Sequence, residues 1–213
     1  MNFAELVGAF EPDAILTVDM PIGLPDRAIG GGRAADWAAR DFLESRRASV
    51  FPVPSRQAVY AFEQGYAQAC AIARATSDPP KAFSKQAFWI FPRIQQIDVL
   101  LRRDPALRRR VFEVHPEVSF ALMNGGAALH ERKKVKGRVH EKGMEVRKEL
   151  LAKQGYALSF LEAKPPKGAA QDDFYDACAC AWSGRRILAG EARVLPEPPE
   201  ADSEGGLPVA IPA

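Results

Sequence analysis

An unbroken apolar run, Ala14-Ile15-Leu16-Thr17-Val18, is closed at once by Asp19 and then by Pro21, Gly23 and Pro25. It is too short and too uniformly apolar for a surface helix, and it fits a strand buried in a parallel sheet. The turn formers end that strand near Asp19. Val111-Phe112-Glu113-Val114 reads as a second strand, ended by His115-Pro116-Glu117. Any fold for this chain must therefore bury two short strands that both finish in ionisable residues.

Helical periods fill the rest. Phe3, Leu6, Val7 and Phe10 recur at i, i+3, i+4 and i+7 and predict an opening helix. Gly30-Gly31-Gly32 leads into a helix over 34–46, and an alanine-rich helical stretch runs to about Thr76 before Asp78-Pro79-Pro80 breaks it. Ser84 is placed to cap the segment KQAFWIF, and Pro92 to open a further helix at its first turn. Further helices are expected over 118–123, 143–154 and 172–189. Tyr156–Leu161 reads as a third strand or an extended connector, and 130–142 as a polar, basic loop. Strands alternating with helices imply an α/β layer architecture with a parallel core over residues 1–195. Residues 196–213, rich in Pro, Glu and Gly, read as a flexible tail whose last residues, 207–211, return as an edge strand.

Composition narrows the function classes. Lys+Arg 29 against Asp+Glu 27 leaves a formal charge of +2, so a nucleic-acid surface would have to be local. The arginines 102, 103 and 108–110 fit a solvated helix end. Three cysteines, Cys70, Cys178 and Cys180, lack the spacing of a disulfide framework or a zinc site and fit small space-filling groups in a reducing compartment. No run matches a membrane span and the first residues are not a signal peptide, so a cytoplasmic protein is expected. P-loop, GxGxxG, GxSxG and HExxH motifs are all missing.

In an open parallel sheet, ligands collect beyond the carboxyl ends of the strands. Asp19 lies there after the first strand, with Glu113, His115 and Glu117 in and after the second. Asp172, Asp173 and Asp176 open the last helix, and 172 and 176 share a face. Carboxylates converging from separate elements suit a hard cation such as Mg²⁺. Each also has a structural reading. Asp172 and Asp173 serve equally as helix caps, Asp19 as a turn hydrogen-bonder, Glu113 as partner of a nearby arginine, and His115 as a structural donor.

The segments VDMPIGLP, SVFPVPSR, SKQAFWIFPRI, EVHPEVSF and DDFYDACACAW, in that order, resemble an uncharacterised family of predicted RNase H-like nucleases, domain-of-unknown-function family 429. The resemblance covers roughly Ala14 to Trp182. It implies an RNase H-like fold and a divalent-metal-dependent phosphodiesterase using Mg²⁺ or Mn²⁺. Asp19, Asp173 and Asp176 would hold the metal, and Glu117 would join them or position water. His115 would assist proton transfer, its ordinary pKa lying near neutrality.

Relatives of that family begin with a hairpin carrying a further acid, whereas this chain starts in its first helix. The resemblance thus implies a bare edge on the Asp19 strand, covered by an upstream segment or by a second copy in a homodimer. Arg56, Lys85, Arg93, Lys133, Lys134 and Arg138 lie in or beside the family-like segments and are candidates for binding phosphates. Trp89, beside Lys85, has the face to stack a base, although Phe88, Ile90 and Phe91 around it favour a place in the core. Two other functions stay open: a binding module of the same fold without turnover, and a small-molecule phosphohydrolase.

Overall fold

The computed structural model describes residues 2–202 and 206–213. Asn2 starts helix α1 (Phe3–Gly8) by a reciprocal cap in which its side chain accepts the Glu5 N–H and the Glu5 carboxylate accepts its own. Strands β1 (Leu16–Val18) and β2 (Ala28–Ile29) follow, then α2 (Ala34–Phe42), which passes into a 3-10 turn over Glu44–Ser49. The alanine-rich region divides into α3 (Arg56–Tyr60) and α4 (Tyr66–Ala75), ended by β3 (Ser77–Asp78).

Helix α5 (Lys85–Arg103) is capped by Ser84, whose hydroxyl accepts the Ala87 N–H, as expected. Pro92 does not open a second helix; it lies inside α5. Pro92 cannot donate to the Phe88 carbonyl, but Phe88, Phe91 and Ile94 around it are buried in one core cluster, and that packing holds the helix continuous.

After β4 (Val111–Glu113), Pro116 takes the first position of α6 (Pro116–Met123). The basic segment expected to be a loop contains a small hairpin, β5 (Lys134–Val135) with β6 (Arg138–Val139), before α7 (Glu141–Lys153). Leu158–Leu161 is neither strand nor connector but a short helix, α8, whose Leu161 is buried against α7 and α9 residues. α9 (Gln171–Ala189) ends on Gly190 in the left-handed conformation.

The architecture is mixed α/β with small two-stranded sheets rather than one extended parallel sheet. β1 and β4 pair in parallel with Leu16, Thr17 and Val18 opposite Val111, Phe112 and Glu113, and β2 pairs in parallel with β3. Helices α1 and α5 pack on one side of β1, and α9 on the other.

The tail meets expectation at its end, where the strand expected over 207–211 is present, and departs from it before that. Residues 194–201 form β7, which pairs antiparallel with β8 (Pro208–Pro212). Leu195, Val209 and Ile211 of this hairpin are buried in one core with α2 and α6, and Leu207 in another. Its polar residues mask that role: residues 197–201 are a continuous exposed stretch, while the buried apolar residues lie at the start of β7 and in its partner β8. Part of the expected linker, 203–205, lies outside the described residues.

Candidate functional site

The parallel pair brings two chain segments to one end. The Val114 N–H donates to the Val18 carbonyl, so Asp19 and His115 leave their strands side by side. The turn after Asp19 is then fixed by a buried ionic network. Glu113 accepts the Ile22 N–H at 2.6 Å and two bonds from the Arg33 guanidinium at 2.6 and 2.7 Å. Arg33 also holds Asp36, whose second oxygen accepts the Val53 N–H. Glu113 therefore pairs with an arginine far away in sequence rather than with one of the cluster beside it.

Helix α9 supplies the opposite wall. Asp172, Asp176, Cys180 and Gly184 recur every fourth residue and share a face. Thr17 donates its hydroxyl to the Cys180 carbonyl at 3.0 Å, and a Cβ at Gly184 would lie 3.3 Å from the Thr17 methyl. Small residues thus let α9 approach β1 closely enough for Asp176 to face Asp19. Both acids line an open groove of about 620 Å³, with Asp173 at its rim and Phe10 and Leu188 among its apolar walls.

This groove runs along the edge of β1 that β4 does not use. Leu16 donates to Arg110 and Val18 accepts from Val114, so these two face β4. Strand alternation then turns the Thr17 backbone toward the groove. Among the described residues β1 pairs with β4 alone.

The electrostatics of the cluster are set by crowding. Loss of hydration raises the Asp19 carboxyl pKa although the side chain opens onto the groove; His115 and Lys133 oppose that rise and Glu117 adds to it. Asp176 is raised for the same first reason, with Lys133 opposing and Asp19 and Glu117 adding. Lys133 donates to one Asp176 oxygen, while Oδ1 of Asp176 is buried with no hydrogen-bond partner. Lys134 pairs with buried Asp172 at 2.6 Å, and Asp172 Oδ1 likewise has no partner. The hairpin β5–β6 therefore lays two ammonium groups over two α9 carboxylates. Burial also pushes the Cys178 thiol up to about 11 and Cys180 well above its ordinary value, in keeping with space-filling roles.

The remaining sequence candidates separate. Glu117 is buried, with one oxygen bonded to fully buried Arg147 at 2.6 Å and the other 3.6 Å from Arg46. His115 reaches the Ser49 carbonyl at 3.4 Å through Nε2, and its buried Nδ1 has no partner. Asp173 is exposed and accepts the Ala170 N–H at 3.0 Å, so the capping reading describes it better than the metal-ligand reading. Arg56 is not presented to a ligand: it is buried between Asp98 and Asp202 and ties the C-terminal hairpin to α5. Lys85 and Arg93 are exposed on α5, and Arg138 is exposed on β6. Trp89 is not in the core; it is 67% exposed.

Asp172 shares the site face with Asp176, as their i, i+4 spacing predicts, although it was not among the residues expected to hold a metal. Nothing local marked Arg147 or Arg46, whose roles depend on tertiary approach to Glu117. No helix among the described residues is long and apolar enough to cross a membrane.

Neither curated proteins nor solved structures gave a match to this chain. A family model does match, over residues 1–201, and it spans both strands, the acidic face of α9 and the lysine hairpin. The chain belongs to the family described as "Protein of unknown function (DUF429)".

Proposed function

We propose that this protein is a divalent-metal-dependent phosphodiester hydrolase, a nuclease of RNase H-like type, with its site where β1 and β4 end against α9. The observation that carries this reading is the meeting of Asp19 and Asp176 at one groove, each with its carboxyl pKa raised by lost hydration. Sites that crowd carboxylates in this way are common where charge must be handled.

The donor set fits Mg²⁺ or Mn²⁺ held lightly. Among the described residues no three His, Cys, Asp or Glu side chains converge as an all-protein cage. Mg²⁺ commonly binds through one or two carboxylates, with waters and substrate phosphate completing its shell. Asp19 and Asp176 offer that pair, and the partnerless Asp176 Oδ1 is a buried oxygen that a cation would satisfy. A bound ion would polarise a phosphoryl oxygen and lower the pKa of a bound water.

The chain's own residues supply the rest. Lys133 and Lys134 place positive charge beside the carboxylates, where phosphate oxygens need it. His115, beside Asp19, is the residue of this site suited by type to assist proton transfer. Glu117 acts as a positioning residue: clamped by Arg147, it shapes the field felt by Asp19 and Lys133. Asp19→Asn in a nuclease assay supplemented with Mg²⁺ or Mn²⁺ is the direct test. Loss of cleavage with a native fold is expected, and unchanged cleavage removes Asp19 from the mechanism.

A second reading is favoured by one observation. Lys133 already neutralises Asp176, so the cluster carries its own cation and a binding module would need no metal. Calorimetric titration with Mn²⁺ separates the two. Binding that disappears in Asp176→Asn supports the hydrolase, and heat-silent titrations of both proteins support the module. The groove volume also admits a small phosphoester, so the assay includes bis(p-nitrophenyl) phosphate beside oligonucleotides.

A further inference from the structure

Helix α5 carries an exposed stripe that the proposed site does not use. Lys85, Trp89 and Arg93 follow one another at intervals of four residues and are all exposed, and Gln96 and Arg103 continue the same face. Four residues advance a helix by about 6 Å, so Lys85 and Arg93 stand about 12 Å apart with Trp89 between them. Among the described residues, none of Lys85, Arg93 and Arg103 takes part in an ion pair.

Trp89 is a presented surface rather than a loose side chain. Its ring meets Phe62 and Phe88 edge to face, at centroid distances of 6.2 and 5.6 Å, and these contacts hold it from below. Its outward surface is left to solvent, at 67% exposure. An indole fixed in this way loses little rotamer freedom when a flat partner lies on it. The stripe also leads to the site. Arg93 and Gln96 share a cleft with Val18 and Met20, the neighbours of Asp19, and Ile90 lines another with Asp19 and His115.

We infer that the Lys85–Trp89–Arg93 face of α5 binds single-stranded nucleic acid, stacking one base on Trp89 and setting phosphates on the flanking cations. The chemistry selects this partner. A base presents its face only when it is out of a duplex, and alternating aromatic and basic groups match alternating bases and phosphates. A duplex or an acidic peptide would use the cations and leave the indole idle. The inference rests on the nuclease reading for its purpose, naming the strand state of the substrate, but its binding claim is tested without cleavage.

The test is fluorescence anisotropy of a labelled 15-nucleotide single strand, the matching duplex and heparin, in EDTA. The single strand is expected to bind most tightly. Trp89→Ala should weaken it about tenfold and Trp89→Phe much less, since a phenyl face still stacks. Lys85→Ala with Arg93→Ala should weaken binding and flatten its salt dependence. Equal affinity for strand, duplex and heparin, or an unchanged Trp89→Ala, overturns the inference. Strand binding without cleavage in the wild-type protein with Mg²⁺ supports the track and sinks the nuclease; cleavage with an unaffected Trp89→Ala does the reverse.

Discussion

Gly143 lies in the first turn of α7 with the backbone of Arg132 and Lys133 directly across it. A Cβ at this position would sit 2.0 Å from the Arg132 carbonyl oxygen, 2.6 Å from its carbon and 3.1 Å from the Lys133 nitrogen. Carbon–oxygen contacts settle at about 3.3–3.6 Å, so alanine forces the two backbones apart by more than ~1 Å. Helix propensity argues the other way, since Gly→Ala in a helix gains up to about 1 kcal/mol. Overpacking against rigid backbone costs about 2–3 kcal/mol at the upper part of its usual range. The clash wins, with a net loss of about 1–2 kcal/mol and a Tm fall of about 2–8 °C for a chain of this size.

The loss also has a local signature. The His140 N–H donates to the Lys133 carbonyl at 2.8 Å, and Arg147 donates to the Glu131 carbonyl at 3.1 Å. Pushing this segment off α7 should break both bonds and withdraw Lys133 from Asp176. Thermal denaturation of Gly143→Ala, with hydrogen exchange followed at His140, reads both effects. Gly8→Ala is the control, because nothing lies within 4 Å of its added Cβ. A Tm rise of about 2–4 °C with His140 protection intact would show that propensity alone governs the site and refute the close approach.

Two further outcomes follow from the charges. Asp19 has its folded pKa raised above the ordinary 3.8, so the folded state holds its proton to higher pH than the unfolded chain. Its ionisation thus costs stability as pH climbs from 3.8 through the raised value. Asp19→Asn should raise Tm slightly at about pH 7 and not at about pH 3, the effect being small because the groove admits solvent. A lower Tm at neutral pH would contradict this sign. Arg33→Met strands Asp36 and Glu113 in the interior without their shared guanidinium, at a cost of about 3–5 kcal/mol in urea denaturation. A loss below about 1 kcal/mol would mean that the network contributes little.

What the sequence made legible was local in origin. β1 and β4 could be read because short apolar runs ended in turn formers, and the capped start of α5 because Ser84 preceded a helical stretch. The meeting of Asp19 with α9 followed from topology, since acids at strand ends and at a helix start converge in such folds. Partners separated by long loops were not legible. Glu113 finds Arg33 eighty residues away, and Arg56 finds Asp202 across 146 residues, so no local window holds both members. The tail misled because its prolines and glutamates dominate composition, while Leu195, Leu207, Val209 and Ile211 decide its burial. Trp89 is a different case. Phe88, Phe91 and Ile94 are spaced for the inward face, and the helical period already turned residue 89 outward.

The edge of β1 is also the floor of the groove that holds Asp19, and this couples assembly to access. Any strand that completed the sheet, from a second copy in a homodimer or from elsewhere, would bury the Thr17 backbone by occupying the space leading to Asp176. Assembly through this edge and entry of a ligand are then competing events. Self-association through this edge would show itself as ligand binding that weakens as protein concentration rises, and a ligand in the groove would hold copies apart.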